Sequence, residues 1–238
     1  MISEGRLGAI CAIGGAALLC IGTFLHPMGA DPNDPVAAFS EYAADRLWIA
    51  SHLVQLVGVA AMVAALLFLT VQLETNGPSG VLLIATAGAV ASLVLAAALQ
   101  AVDGIALKSM VDAWAAAPES EKQGLFQAAF AVRQIEIGLA SMLSLSLGLT
   151  MTLYGTAVLR DEYPKWFACL AIAGGVPTMA AGVVMAYTGF SGLAMTISMP
   201  ANLLLVLWML ALGGSMWRRV GQSHSEVRSN KAMKSDVE

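Results

Sequence analysis

Among the ionisable or imidazole-bearing residues inside or beside long apolar stretches, six stand out as able to do chemistry: His26, His52, Asp103, Lys108, Arg133 and Glu136. Such groups are costly in lipid, so they face protein or water and pair with one another. A carboxyl in an apolar pocket holds its proton more firmly than in water and can act as a general acid. Asp103 and Glu136 are the candidate acids and His52 the candidate partner base, so these three are read as catalytic. Trp48, Gln55, Gln100, Arg133, Gln134 and Tyr187 are read as substrate-binding: polar or amphipathic side chains close to the same level. A guanidinium in that position suits an anion.

Spacing supports the grouping. Asp45, Trp48, His52 and Gln55 are offset by 0, 3, 7 and 10, which places them on one helical face. Gln100 and Asp103 are three apart and continue a ladder of small residues, Gly88, Ser92 and Ala96. Small residues every four positions mark a helix face packed on another helix, so the ladder aims Gln100 inward. Arg133 and Glu136 are also three apart and can pair along their own helix. Further ladders run through Ser144, Gly148 and Thr152, and through Gly174, Thr178, Gly182 and Ala186. Lys108 and Asp45 also have an interfacial reading, with Lys108 reaching for the headgroups. Tyr187 equally suits an aromatic belt.

The elements that must hold these residues are transmembrane helices. The chain has 238 residues, of which 58% are hydrophobic and 12% charged, and its mean hydropathy is +0.75. A soluble domain needs far more charge to cover its surface. A span needs about 20 apolar residues, and six segments qualify: Leu7–Leu25, Leu47–Leu73, Val81–Leu107, Val132–Leu159, Trp166–Tyr187 and Ile197–Trp217. The expectation is an all-α, polytopic bundle over residues 1–217, followed by a polar tail, 218–238, without stable structure. Leu7–Leu25 is too long for a signal core and is kept as the first span. Trp48, Trp166, Trp208 and Trp217 lie at span ends, as interfacial indoles do. "NGPSG" (76–80) and "RDEYPK" (160–165) read as turns. Asp34 and Pro35 read as the N-cap and first residue of a short amphipathic helix, and Pro118 as the break before the fourth span.

Six spans put both termini on one side. That side carries eight of the twelve Lys and Arg residues, which makes it cytoplasmic by the positive-inside rule. The polar set then lies toward the outer face. The bilayer is one partner, and a hydrophobic or amphiphilic small molecule is the other. Nucleic acid is excluded, since the only basic run is the short tail. Cys11, Cys20 and Cys169 lie in apolar runs without metal or disulfide spacing and read as packing cysteines.

Four uses of the polar set compete. The first is an enzyme that protonates or deprotonates a lipid-like or isoprenoid substrate. The second is a binding or transport protein with Arg133 as anion clamp, and the third a structural partner in the membrane. The fourth is a metal or haem protein with His26 and His52 as ligands. No cofactor is required by any motif: HExxH, CxxCH, Walker A and GxSxG are absent from the sequence.

At "QAVDGIALK" (100–108), "VRQIEIGLAS" (132–141) and "YTGFSGLAM" (187–195) the chain resembles a group of uncharacterised bacterial integral membrane proteins defined by a domain of unknown function. The "HP" at 26–27 and the Trp48 and His52 spacing are similar too. The resemblance covers most of residues 7–217. It implies a multi-pass protein of a bacterial inner membrane and carries no activity with it.

Overall fold

The structure, a computed structural model, describes the backbone of residues 3–74, 79–161 and 163–235, and side chains as far as residue 219. The described chain is all-helical. Helix α1 (Glu4–Leu25) is followed by the short α2 (Pro35–Ala44) and by α3 (Trp48–Glu74). Next come α4 (Gly80–Gln100), a π-helical turn (Ala101–Leu107) and α5 (Lys108–Ala116), which form one continuous rod. The chain ends with α6 (Glu119–Val158), α7 (Lys165–Thr188) and α8 (Gly192–Ser235). Six of these elements are long and apolar enough to cross a membrane, and the protein is an integral multi-pass membrane protein. The turn expected at 76–80 falls largely on residues outside the described ones.

The spans close into a ring, in the order α1, α3, α4, α6, α7, α8 and back to α1. Glycine sets the two closest approaches. A Cβ at Gly15 would lie 2.7 Å from the Gly58 carbonyl, and one at Gly148 would lie 2.5 Å from the Gly175 carbonyl. In lipid, where no hydrophobic effect draws helices together, such backbone contact is a main source of cohesion. The small-residue ladders pack as expected. Ser92 Oγ is 2.9 Å from Ser146 Oγ, a Cβ at Gly88 would strike Thr150 Oγ1, and Ser141 Oγ donates to the Gly182 carbonyl at 2.8 Å.

The half of the bundle nearest the termini is filled. Leu66, Leu69, Tyr154, Phe167, Trp208 and Leu212 are all 0–2% exposed there. Tyr154 Oη hydrogen-bonds Thr70 Oγ1 at 2.8 Å and so satisfies its one polar atom. The other half holds the polar set and is covered by a cap. A 30 Å hydrocarbon core needs about 20 helical residues, yet the α4–α5 rod has 37 and α6 has 40. Their surplus projects as a hairpin, and α2 seals it by burying Ala38, Phe39 and Tyr42 against Leu107, Val111 and Ala129. Asp34 caps α2 by accepting from the Val36 and Ala37 amides, with Pro35 at the first position.

Several expectations change. Trp48 and Trp208 are 1% and 0% exposed, so they are core rather than belt residues. Each buried indole N–H needs an acceptor and finds a carbonyl, of Asp103 and of Phe167 respectively. Trp166 and Trp217 are exposed, as expected. Asp45 precedes α3 and caps the end of α2, so it does not share the helical face of His52. Lys108 does not reach for headgroups. It donates to the Tyr42 and Ala43 carbonyls and to Asp112, where its charge meets the C-terminal end of the α2 dipole. Cys169 is exposed and the three cysteines are unpaired. The polar tail from residue 218 continues α8 as helix to Ser235, well beyond the proline of α8 at Pro200.

Candidate functional site

Helix α3 begins at Trp48, and one turn later His52 faces the interior, 2% exposed. Its Nδ1 lies 2.6 Å from the Trp48 carbonyl. A carbonyl can only accept, so Nδ1 carries the hydrogen and Nε2 is the free end. That Nε2 is 3.0 Å from Asp103 Oδ2.

Asp103 is carried by the π-turn, a feature that recurs at functional sites. The wider turn brings Gly104 against α3: a Cβ there would lie 2.6 Å from His52 Cβ. Glycine therefore permits the approach that joins Asp103 to His52. The second carboxylate oxygen, Oδ1, is buried with no hydrogen-bond partner among the described residues.

His26 ends α1. Its Nδ1 is 2.7 Å from the Pro27 carbonyl, which leaves its Nε2 unprotonated in the neutral ring. The His26 and His52 ring centroids are 5.0 Å apart, and both rings lie against Trp48, at 4.6 and 4.7 Å. Burial, with His52 as the next cause, holds the His26 imidazole below the usual histidine range. The loop after His26 is anchored by Glu41, which accepts the Gly29 and Ala30 amides at 2.9 Å.

Behind this cluster, Arg133 and Glu136 form a buried pair, 6% and 2% exposed. Arg133 Nη1 donates to both carboxylate oxygens at 2.8 Å, and Nη2 donates to the Pro32 carbonyl. The guanidinium also lies over Phe190 and Tyr42, at 4.8 and 5.5 Å. Burial, in the main, pushes the Tyr42 phenol up to about 12, with Arg133 acting in the opposite sense.

These groups surround a cavity of about 240 Å³. Of the residues singled out by sequence, His26, His52, Gln55, Gln100, Asp103 and Glu136 line it. Gln100 Nε2 donates to Gln55 Oε1 at 3.1 Å, while Gln100 Oε1 is buried without a partner among the described residues. Trp48 stands behind the histidines, and Arg133 stands behind Glu136. Gln134 is exposed, and Tyr187, 87% exposed, points away.

The sequence reading passed over Thr23, Met28, Leu99, Ala140 and Phe190, which supply the rest of the wall. It also passed over Gly104 and Glu41. A glycine beside an intramembrane aspartate was the available signal for the first. Glu41 gave none, because its partners are backbone amides twelve and eleven residues away.

No protein of curated function and no solved structure matches the chain. A family profile does, and it spans residues 7–213, so every residue lining the cavity lies within the match. The chain belongs to the family described as a domain of unknown function, DUF4386.

Proposed function

We propose that this multi-span membrane protein is an enzyme that carries out acid/base chemistry on the polar end of a lipid-like or isoprenoid molecule. The observation that carries the reading is the His52–Asp103 contact on the wall of an open-mouthed cavity with largely apolar sides. A proton shared between an imidazole and a carboxylate in that setting can pass to or from a bound group with little rearrangement. Gln55 and Gln100 supply hydrogen bonds to a polar head, and Met28, Leu99 and Phe190 face its apolar part. About 240 Å³ accommodates a few heavy atoms, less than the 300–1,000 Å³ typical of drug-sized ligands, so the cavity takes a headgroup or chain end. Glu136 acts as a positioning residue, since both its oxygens are taken by Arg133.

The packed core below the cavity speaks against a transport path through the bundle. The engaged donors of Arg133 speak against an anion clamp. The charge bias of the sequence supports both termini inside, with the cavity in the outer leaflet, and the family resemblance implies a bacterial cytoplasmic membrane. The test compares lipid extracts of cells lacking the chain and complemented with wild type, Asp103→Asn or His52→Gln. A species that changes with wild type and not with either folded variant supports the reading. Identical extracts overturn it.

A further inference from the structure

We infer that the cavity holds a divalent first-row transition-metal ion, bound by His26 Nε2, His52 Nε2 and a carboxylate oxygen of Asp103. The inference rests on the cavity being the working site and names what that site binds. Four observations support it. One ligand atom from each of the three residues lies within 4.8 Å of the others. Both imidazoles give their Nδ1 hydrogen to a backbone carbonyl, of Pro27 and of Trp48. That outer contact is the usual one for a ligating histidine, because it fixes the tautomer and turns the Nε2 lone pair to the metal. In those neutral tautomers His52 Nε2 and Asp103 Oδ2 would meet at 3.0 Å as two lone pairs, and a metal ion, taking the place of a proton shared between them, makes the contact favourable. Finally, Asp103 Oδ1 is buried without a partner among the described residues.

The donor set selects the kind of ion. Two imidazoles and one carboxylate, with open positions on the cavity side, suit zinc or iron(II). Calcium and magnesium prefer all-oxygen sites. Haem does not fit between the histidines, since ring centroids 5.0 Å apart leave no room for a macrocycle. The supporting contacts are in place as well: the Trp48 indole donates to the Asp103 carbonyl at 3.0 Å, and Glu41 holds the loop that follows His26.

The test uses the full chain, purified in detergent through a tag free of histidine, stripped with chelator, and titrated with cobalt(II) or zinc(II) alone. Wild type is expected to bind one ion per chain, with cobalt(II) giving visible ligand-field bands. His26→Ala, His52→Gln and Asp103→Asn should each weaken binding by more than the roughly 10–100-fold lost when an outer-shell partner is removed. His224→Ala, which removes the third histidine of the chain, should change nothing. Equal melting temperatures of the metal-free proteins exclude misfolding, and His26→Ala serves if Asp103→Asn proves unstable. No bound ion, or binding that survives the His26→Ala/Asp103→Asn pair, overturns the site. Ala140→Phe separates the two readings: it narrows the cavity without touching the ligands, so it should keep the ion and lose the lipid effect. A lipid effect that depends on Asp103 in protein binding no ion would leave the enzyme standing and overturn the metal.

Discussion

His52 Nε2 and Asp103 Oδ2 are 3.0 Å apart, although the two residues stand 51 positions apart on different spans. The contact depends on Gly104, whose missing side chain leaves room for His52. Gly104→Ala should therefore push α3 and the π-turn apart and cost about 1–3 kcal/mol, the usual range for overpacking a tight contact. Thermal unfolding in detergent reads the loss. A variant as stable as wild type, with the site intact, would contradict the packing described.

Arg133 is a brace that joins α6 to the loop at Pro32 and to Phe190. Arg133→Ala leaves Glu136 buried and unpaired, which should cost about 3–5 kcal/mol. The double variant Arg133→Met/Glu136→Met should recover most of that stability, because breaking a buried pair is worse than replacing it. A double-mutant cycle of unfolding free energies measures the coupling. If Arg133→Ala leaves stability unchanged and abolishes ligand binding, the guanidinium is a clamp and the brace is wrong.

Tyr42 contributes a pH dependence at the alkaline end. Its folded pKa of about 12 lies above the value near 10 of an unfolded tyrosine. Between those values the unfolded chain releases a proton that the folded chain keeps. Stability should be fully present below pH 10 and decline as the pH rises toward 12. Tyr42→Phe should flatten the decline in that window, and an unchanged profile would assign it to other groups.

Topology gives a separate prediction. With the native cysteines replaced by alanine, a cysteine at Ser120, in the first turn of α6, should react with a membrane-impermeant maleimide added to intact cells. A cysteine at Ser225 should react only after lysis. The opposite pattern would place the cavity in the inner leaflet.

Much of the bundle was legible because spans in lipid must be long and apolar, and the six segments follow from that alone. The inward aim of Gln100 was legible from its small-residue ladder. The site was only half legible. Helical spacing brought out His52, Gln55 and Asp103, but spacing within one helix says nothing of which neighbour it meets. The ring order, set by glycine contacts such as Gly15–Gly58 and Gly148–Gly175, decides that. Tyr187 and Gln134 were grouped by level along the membrane, and their rotation about α7 and α6 turns them outward. Trp48 and Lys108 were assigned to the interface by residue type. The α2 cap, which has no counterpart in a hydropathy profile, buries Trp48 and supplies carbonyls to Lys108.

The central claim is that the cavity between His26, His52 and Asp103 is where this protein works. Mass spectrometry of the small molecules that co-purify with the chain from its own membranes tests it most directly, with wild type compared against Ala140→Phe. The account predicts an amphiphile present near one per chain in wild type and lost from a variant that melts at the same temperature. The same amphiphile retained by the blocked variant, or none in either, would contradict it.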